Sequence, residues 1–360
     1  VLEEYATAIR DALKRVGMHK KEIQGLSITT QASPDFAPHV AEQLGFELDW
    51  VLNGDYGGAG GVGSVRRAAD AIECGHIDVA LLVGGNSFDK SVSNQRPLEY
   101  QRGNFVDVYG YGGPNSLMAL IQRLHMENFG TTLEQTGKIA LAQRFNALNN
   151  PQALFREPMT MQDYLNSRMI SDPIRLFDCV MPCSGAECVI LASEEKAKQF
   201  TDKMVHLVTD AERIHYQVAN MLPDKTTFGM KVVGDRLFSE VKREDIDLCE
   251  IYDDYPIAVM IQIEDLGFCR KGEGGKFVDA HDLTYNGDFP VNTGGGEISV
   301  GQAGLAGGFL HIVEALRQLR GEAEGHQVKD AERALVTGIG WLNYGRNLGT
   351  TAGLIMERRK

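Results

Sequence analysis

Apolar residues recur at helical spacing from the start of the chain: Leu2, Tyr5, Ala6, Ile9, Leu13 and Val16 share one face, and the pattern stops near Gly17. Ile23 to Thr29 then reads as a strand, Ala37 to Leu44 as a short helix, and Trp50 to Asn53 as a second strand. A glycine-rich turn, Asp55 to Gly61, opens a helical run from Val62 to Cys74 that closes at Gly75. The continuous apolar run Val79 to Val83 comes next and ends in Gly84-Gly85. This α-β-α-β-α-β order predicts a mostly parallel sheet with covering helices.

Between about 86 and 178 the pattern changes, with Asn, Gln, Met and Tyr replacing strand-like runs. Helices are expected at Asn115–Asn128, Thr132–Asn146 and Thr160–Ser167. An insertion of this length is usually functional, as a lid or a substrate-binding layer. Cys188 to Ala192 returns to a buried strand, and Ser193, before Glu194-Glu195, reads as a helix cap.

A second unit begins near Lys203. Val205 to Ile214 and Asp247 to Tyr252 read as strands, Val233 to Val241 and Pro256 to Leu266 as helices. A loop containing Gly272 to Gly275 and the segment Pro290 to Gly296 come next. A long helix, Leu305 to Leu319, and two strands, Ala334–Thr337 and Thr351–Met356, complete the order. The two halves, 1–200 and 201–360, share an order of elements without obvious identity, which suggests duplication.

With 360 residues the chain exceeds the usual size of one domain. Hydrophobic content of 43% and charged content of 24% are those of a soluble globular protein. A net charge of −13 argues against non-specific nucleic-acid or anionic-membrane binding. No run of 18 apolar residues exists, so no transmembrane helix is expected, and the expected location is cytoplasmic. The chain starts at Val1 within a helical pattern, without Met or a signal-like apolar segment, so a preceding segment is expected to be missing. Six scattered cysteines lack the paired spacing of a zinc site and read as buried free thiols; no metal is expected in this chain.

The Asp55–Gly61 turn is the most informative feature for chemistry. Such a turn lets a helix N-terminus approach a ligand and aim backbone N–H groups at developing negative charge. Enzymes that use it for covalent catalysis place Cys or Ser at the tip, and none is present here. Three further segments end strands or form glycine-rich loops, where α/β sheets collect ligands: Glu250 to Tyr255, Asn292 to Gly296 with Gly301 to Gly304, and Gly338 to Arg346.

Over nearly its whole length the chain resembles the thiolase superfamily, particularly the branch of the sterol-carrier-protein thiolases. The resemblance rests on Gly58 to Gly75, Asp78 to Gly85, Ser171-Asp172-Pro173, Ser184-Gly185-Ala186, Glu250 to Tyr255, Asn292 to Gly296, and Gly301 to Gly321. It implies a duplicated αβαβα layered α/β fold with two mixed sheets and an inserted helical loop region. Where the family has its nucleophilic Cys, this chain has Gly58; the His of Gly-His-Pro falls on Gln302, the second Cys on Gly338, and the Asn or His of the middle motif on Tyr252. The acids, bases and nucleophiles of Claisen chemistry are gone, while the scaffold glycines stay.

That combination is similar to thiolase-like aldolases that cleave β-hydroxyacyl-CoA side chains, notably of steroids, and that carry a Tyr-Gly-Gly turn. The resemblance implies proton transfer by Tyr252 and Tyr344, acid and base being left open. It also implies an oxyanion and substrate face from Gly58, Ala59 and Gln302, with Asn292, Tyr56, Asp253 and Gly338 around it. Coenzyme A enters only as part of the substrate. A homodimer is expected, with a small zinc-ribbon/OB-fold accessory subunit holding the only zinc. Two alternatives stand beside this one: acyl transfer with a displaced nucleophile, Cys183 or Cys188, and a non-catalytic acyl-CoA-binding subunit. Some candidates also have plainer readings. Asp253 can hold a loop through backbone N–H groups, Gln302 can cap the long helix, and His311 reads as a satisfied core histidine.

Overall fold

A computed structural model describes residues 1–29, 36–54, 56–88, 107–110, 113–214, 226–340 and 349–359. Helix α1 (Leu2–Val16) is followed by β1 (Gly25–Thr29), α2 (Phe36–Leu44), β2 (Trp50–Asn53), α3 (Gly60–Glu73) and β3 (Val79–Asn86). The insertion contributes α4 (Pro114–Phe129), α5 (Leu133–Ala147), α6 (Met161–Asn166) and the short pair β4 (Met169–Ser171) and β5 (Ile174–Arg175). Then come β6 (Gly185–Ala192), α7 (Glu194–Ala197), β7 (Val205–Ile214), α8 (Met230–Leu237), β8 (Leu248–Glu250) and α9 (Pro256–Asp265). The order ends with α10 (Gly274–Ala280), α11 (Gly296–Val300), α12 (Gly307–Arg320), β9 (Arg333–Gly340) and β10 (Thr350–Arg358).

Two four-stranded sheets organise the chain, in the orders β2-β1-β3-β6 and β7-β10-β9-β8. In the first, β1 runs parallel to β2 and β3, and β6 closes the edge antiparallel. In the second, β10 pairs antiparallel with β7 and β9, and only β8–β9 is parallel. Both sheets are mixed, as the resemblance implied.

Alternation along the strands explains the layers. Ala80 and Leu82 of β3, with Val336 of β9 and Leu354 of β10, point into a central layer against Val62, Val65 and Ala68 of α3 and Phe309, Ile312 and Ala315 of α12. Val79, Leu81 and Val83 point the other way, onto Tyr5 and Ile9 of α1 and Val40 of α2. Leu335, Ile339 and Ile355 face Val233 and Leu237 of α8 and Ile257 and Ile261 of α9. The result is the five-layer αβαβα arrangement of the thiolase-like fold. Burying two such central helices between sheets explains why both are apolar over a wide arc.

Two elements depart from the sequence expectation. Gly272 to Gly275 reads as loop, yet Gly274–Ala280 is helical; Pro290 to Gly296 reads as irregular, yet it runs directly into a helix at Gly296–Val300. In both cases a carboxylate from elsewhere accepts the free N–H groups of the first turn. Glu264 accepts from the Gly274 N–H at 2.8 Å, and Asp253 accepts from the N–H groups of Glu297 at 2.8 Å and Ile298 at 3.2 Å. Strand β8 is also shorter than Asp247–Tyr252, because past Glu250 the ladder gives way to side chains. The Ile251 N–H donates to Asn292 at 2.7 Å and the Tyr252 N–H to Thr337 Oγ1 at 3.0 Å. Among the described residues no helix is long and apolar enough to cross a membrane.

Candidate functional site

The N-termini of α3 and α12 meet at the centre of the molecule, and glycines make the meeting possible. A Cβ on Gly61 would overlap the Gly308 carbonyl, and a Cβ on Gly308 would overlap the Gly58 carbonyl. Behind the turn, a Cβ on Gly338 would lie 2.7 Å from Gly58 O and 2.9 Å from the Ala59 Cα. A side chain at 338 would push the turn away, so the loss of a cysteine there goes with the close seating of this backbone. Ala59 is the N-cap of α3, with its carbonyl accepting from the Gly63 N–H at 2.9 Å.

Gly58 faces Tyr252. A Cβ at position 58 would overlap Cζ, Cε2 and the hydroxyl of that ring, so the phenol fills the space a nucleophilic side chain would take. Its backbone is fixed on two sides. Thr337 Oγ1 of β9 receives its N–H, and Gln262 Nε2 of α9 donates to its carbonyl at 2.8 Å. The Thr337 hydroxyl donates to Gln262 Oε1 at 2.7 Å, closing the brace. Only 3% of Tyr252 is exposed. Burial, then the charges of Asp254, Glu297 and Asp253, push its phenol well above the ordinary tyrosine range. The phenol is thereby held in its neutral form.

Gln302 stands beside it. Its N–H donates to Met181 O at 2.8 Å and its carbonyl accepts from the Cys183 N–H at 3.0 Å, which fixes where the amide head reaches. Nε2 lies 3.2 Å from the Tyr252 hydroxyl and 2.7 Å from Glu297 Oε2, and bonds Asp254 Oδ1 as well. An amide nitrogen has two hydrogens for these three oxygens. The same nitrogen thus joins the Tyr252 hydroxyl to the Asp254 and Glu297 carboxyls. Gln302 therefore serves the phenol and the acids and does not cap the long helix.

Behind these residues lies a buried acidic cluster. Burial lifts Asp254 to about 6, against the opposing pull of its bonds to Glu297 and Gln302. Burial, with the charges of Asp254 and Asp253, lifts Glu297 well above the usual carboxylate range. His311 Nε2 sits 3.0 Å from Asp253 Oδ1, and Nδ1 sits 3.4 Å from Glu250 Oε2. Burial opposes its charge, but these two carboxylates outweigh it and raise the imidazole to about 9. Asp253, Glu297 and His311 bring ligand atoms within 4.8 Å of one another, a spacing a metal ion could span. Their pairing as an imidazolium with carboxylates accounts for the arrangement.

Two residues expected on the substrate face turn their polar groups inward instead. Asn292, with φ 51, accepts from the Ile251 N–H and donates to the Ile251 carbonyl at 2.8 Å, so its amide is spent holding the end of β8. Asp253 is spent on α11 and His311. Tyr56 is half-buried, its ring under the Arg67 guanidinium at 4.5 Å, and its carbonyl accepts from Thr350 Oγ1 at 2.9 Å. Arg67 in turn binds both oxygens of Glu212, at 2.8 and 3.0 Å. Tyr344 lies outside the described residues. Gly58, Ala59, Gly338, Tyr252 and Gln302 thus come together. Asp254 and Glu297 join them without having been assigned a site role from the sequence. Glu297 carried one usable signal, a carboxylate directly after three glycines.

Neither alternative nucleophile fits well. A Cβ on Gly301 would lie 3.0 Å from Cys183 Sγ, so that thiol is close to the Gln302 segment. Burial raises it, however, and raises Cys188 on β6 further, away from the thiolate form.

Comparison with known proteins agrees with this geometry. The family described as Thiolase C-terminal domain-like matches residues 211–345. An acetyl-CoA acetyltransferase of Methanothermobacter thermautotrophicus is 36% identical over 228 residues, 62% of this chain and 60% of its own length. A 17-hydroxy-3-oxo-4-pregnene-20-carboxyl-CoA lyase of Mycobacterium tuberculosis is 30% identical over 363 residues, 96% of this chain and 93% of its own. A solved structure described as the Ltp2-ChsH2(DUF35) aldolase superposes with a TM-score of 0.86 at 27% identity, covering 99% of this chain and 92% of that one. The chain belongs to the thiolase superfamily, in the branch of the sterol-carrier-protein thiolases and the thiolase-like aldolases.

Proposed function

We propose that this protein is a carbon–carbon lyase that cleaves a β-hydroxyacyl-CoA, of the steroid side-chain class, by retro-aldol chemistry. The observation that carries the reading is the Tyr252 phenol lying over Gly58, hydrogen-bonded by Gln302, where a thiolase would hold its cysteine. A base takes the β-hydroxyl proton and the O–H pair becomes the new carbonyl. The Cα–Cβ bond breaks, and its pair moves onto the thioester as an enolate. The phenol proton of Tyr252 then goes to Cα. No covalent adduct is required, so the missing nucleophile costs nothing.

Two 14-residue helices, α3 and α12, aim their N-termini at this point, and with the Gly58–Ala59 amides they favour the negative charge of the enolate oxygen. Tyr252, kept neutral, takes the acid role. With Tyr252 as the acid, the base step falls to Tyr344, the other of the two tyrosines that the resemblance implies. The two-component title of the Ltp2-ChsH2(DUF35) aldolase supports a partner subunit; the resemblance implies that this chain is a homodimer and that a small accessory subunit carries the zinc.

Incubating the complex with a β-hydroxyacyl-CoA should release a shorter acyl-CoA and a ketone or aldehyde in equal amounts, read by mass spectrometry. Thiolysis of a β-ketoacyl-CoA in place of that cleavage would favour the acyltransferase reading, which the 36% identity to an acetyltransferase otherwise supports. Tight acyl-CoA binding with no turnover in the complex would favour the binding-subunit reading.

A further inference from the structure

We infer that Asp254 and Glu297 share a single proton and return it to Tyr252 after each turnover, making them positioning residues for the acid step. The inference rests on the retro-aldol reading. Both carboxyls reach the same Gln302 nitrogen, Glu297 Oε2 at 2.7 Å, and that nitrogen lies 3.2 Å from the Tyr252 hydroxyl. Neither carboxyl touches a lysine or arginine among the described residues, and Glu297 Oε1 is buried without a hydrogen-bond partner. Two carboxylates so close and so deeply buried hold one proton between them at rest. The titratable groups facing the pair are Tyr252, Asp253 and Glu250 from the segment around β8, and His311 from α12. The one imidazole facing them among the described residues is closest to Asp253, at 3.0 Å, and Glu250, at 3.4 Å, and lies farther from Glu297 Oε1, at 3.9 Å.

The proton balance is complete. Tyr252 loses its proton to Cα and is left as a tyrosinate. The shared proton passes from Asp254 to the phenolate oxygen, and the pair becomes doubly anionic. The proton released from the substrate's β-hydroxyl refills it, so none is gained or lost over a cycle. The tyrosinate cannot persist beside two acids, which is why a donor there is needed.

Infrared spectroscopy of the wild-type chain at neutral pH should show a protonated carboxylic-acid band that is lost in Glu297→Gln and in Asp254→Asn. In the complex, Glu297→Gln should give a first-turnover burst of about one product per site, followed by steady turnover at least ~10-fold slower with KM unchanged. Asp254→Asn should slow steady turnover similarly, and circular dichroism would confirm that both variants are folded. Absence of the band in the wild type, or wild-type steady turnover in folded Asp254→Asn, would overturn the inference. The band needs no turnover, so if it is present while the wild-type complex cleaves no β-hydroxyacyl-CoA, the retro-aldol reading fails and the proton return fails with it, leaving only the shared proton.

Discussion

The two ends of helix α9 carry buried acids with opposite fates. At the C-terminal end, Glu264 and Asp265 face Lys271 at 3.0 and 2.8 Å, and His125 Nε2 meets Glu264 at 3.2 Å. Those cationic and imidazole partners hold Glu264 below the ordinary carboxylate range despite burial, and Glu264 and Asp265 also cap α10 and the Phe228 N–H. Burial raises Asp265 even so. Acids at that end oppose the helix dipole and so need a cation. At the N-terminal end, Asp253 and Asp254 join Glu250 and Glu297 around His311, the one basic side chain paired with them among the described residues, and burial raises Glu250, Asp254 and Glu297. Where charge is matched, the cluster is scaffold. Where acids outnumber cations, protons stay on the acids, and a phenol with a proton to give stands beside them.

The comparison breaks most visibly at Tyr252. Tyr252→Phe removes only the hydroxyl, so kcat should fall by about 10²–10⁴-fold with folding intact, measured by product formation and thermal melting. A drop of less than threefold would remove Tyr252 from the acid role. At the other end, Lys271→Met strands two buried carboxylates and should cost about 3–5 kcal/mol of stability by urea unfolding, while turnover per folded molecule stays unchanged. Gly58→Ala places a methyl group against the Tyr252 ring and should lower kcat by about 10²-fold through displacement of the phenol.

The clusters should also respond to pH with opposite signs. His311, raised to about 9 from the ordinary histidine value, contributes stability that is complete below about 6.5 and lost as pH rises through about 9. Asp254, raised to about 6, contributes stability below about 3.9 that is lost as pH rises through about 6. Glu264, lowered, contributes stability above its unfolded value, about 4.3, that is lost as pH falls. Urea midpoints across pH should therefore fall less on the alkaline side in His311→Gln and less on the acid side in Glu264→Gln. The smallest effect belongs to Cys183→Ser, for which turnover should change by less than about twofold, since the mechanism gives that thiol no task.

Much of this was legible in the sequence. The spacing of Leu2, Tyr5, Ile9 and Leu13, the apolar run of β3 and the glycine turn before α3 have local causes, so the helices, strands and order of elements could be read directly. The absent nucleophile at Gly58 was also visible, and it directed attention to Tyr252. Helices α10 and α11 were not legible, because their first turns are capped by Glu264 and Asp253 from distant positions. For the same reason Asn292 looked like a wall of the pocket, when its amide serves the backbone of Ile251. The acidic cluster was only half visible. Asp253 and Asp254 adjoin Tyr252 in the chain, but Glu297 and His311 reach it only through the packing of α11 and α12.

Bond cleavage without a protein–substrate adduct can be checked at its root by rapid-quench mass spectrometry of the intact protein during turnover of a β-hydroxyacyl-CoA. The protein mass should stay unmodified at every time point while the shorter acyl-CoA accumulates. An acyl group on Cys183, Cys188 or any other cysteine, appearing and decaying at the rate of turnover, would overturn the retro-aldol mechanism.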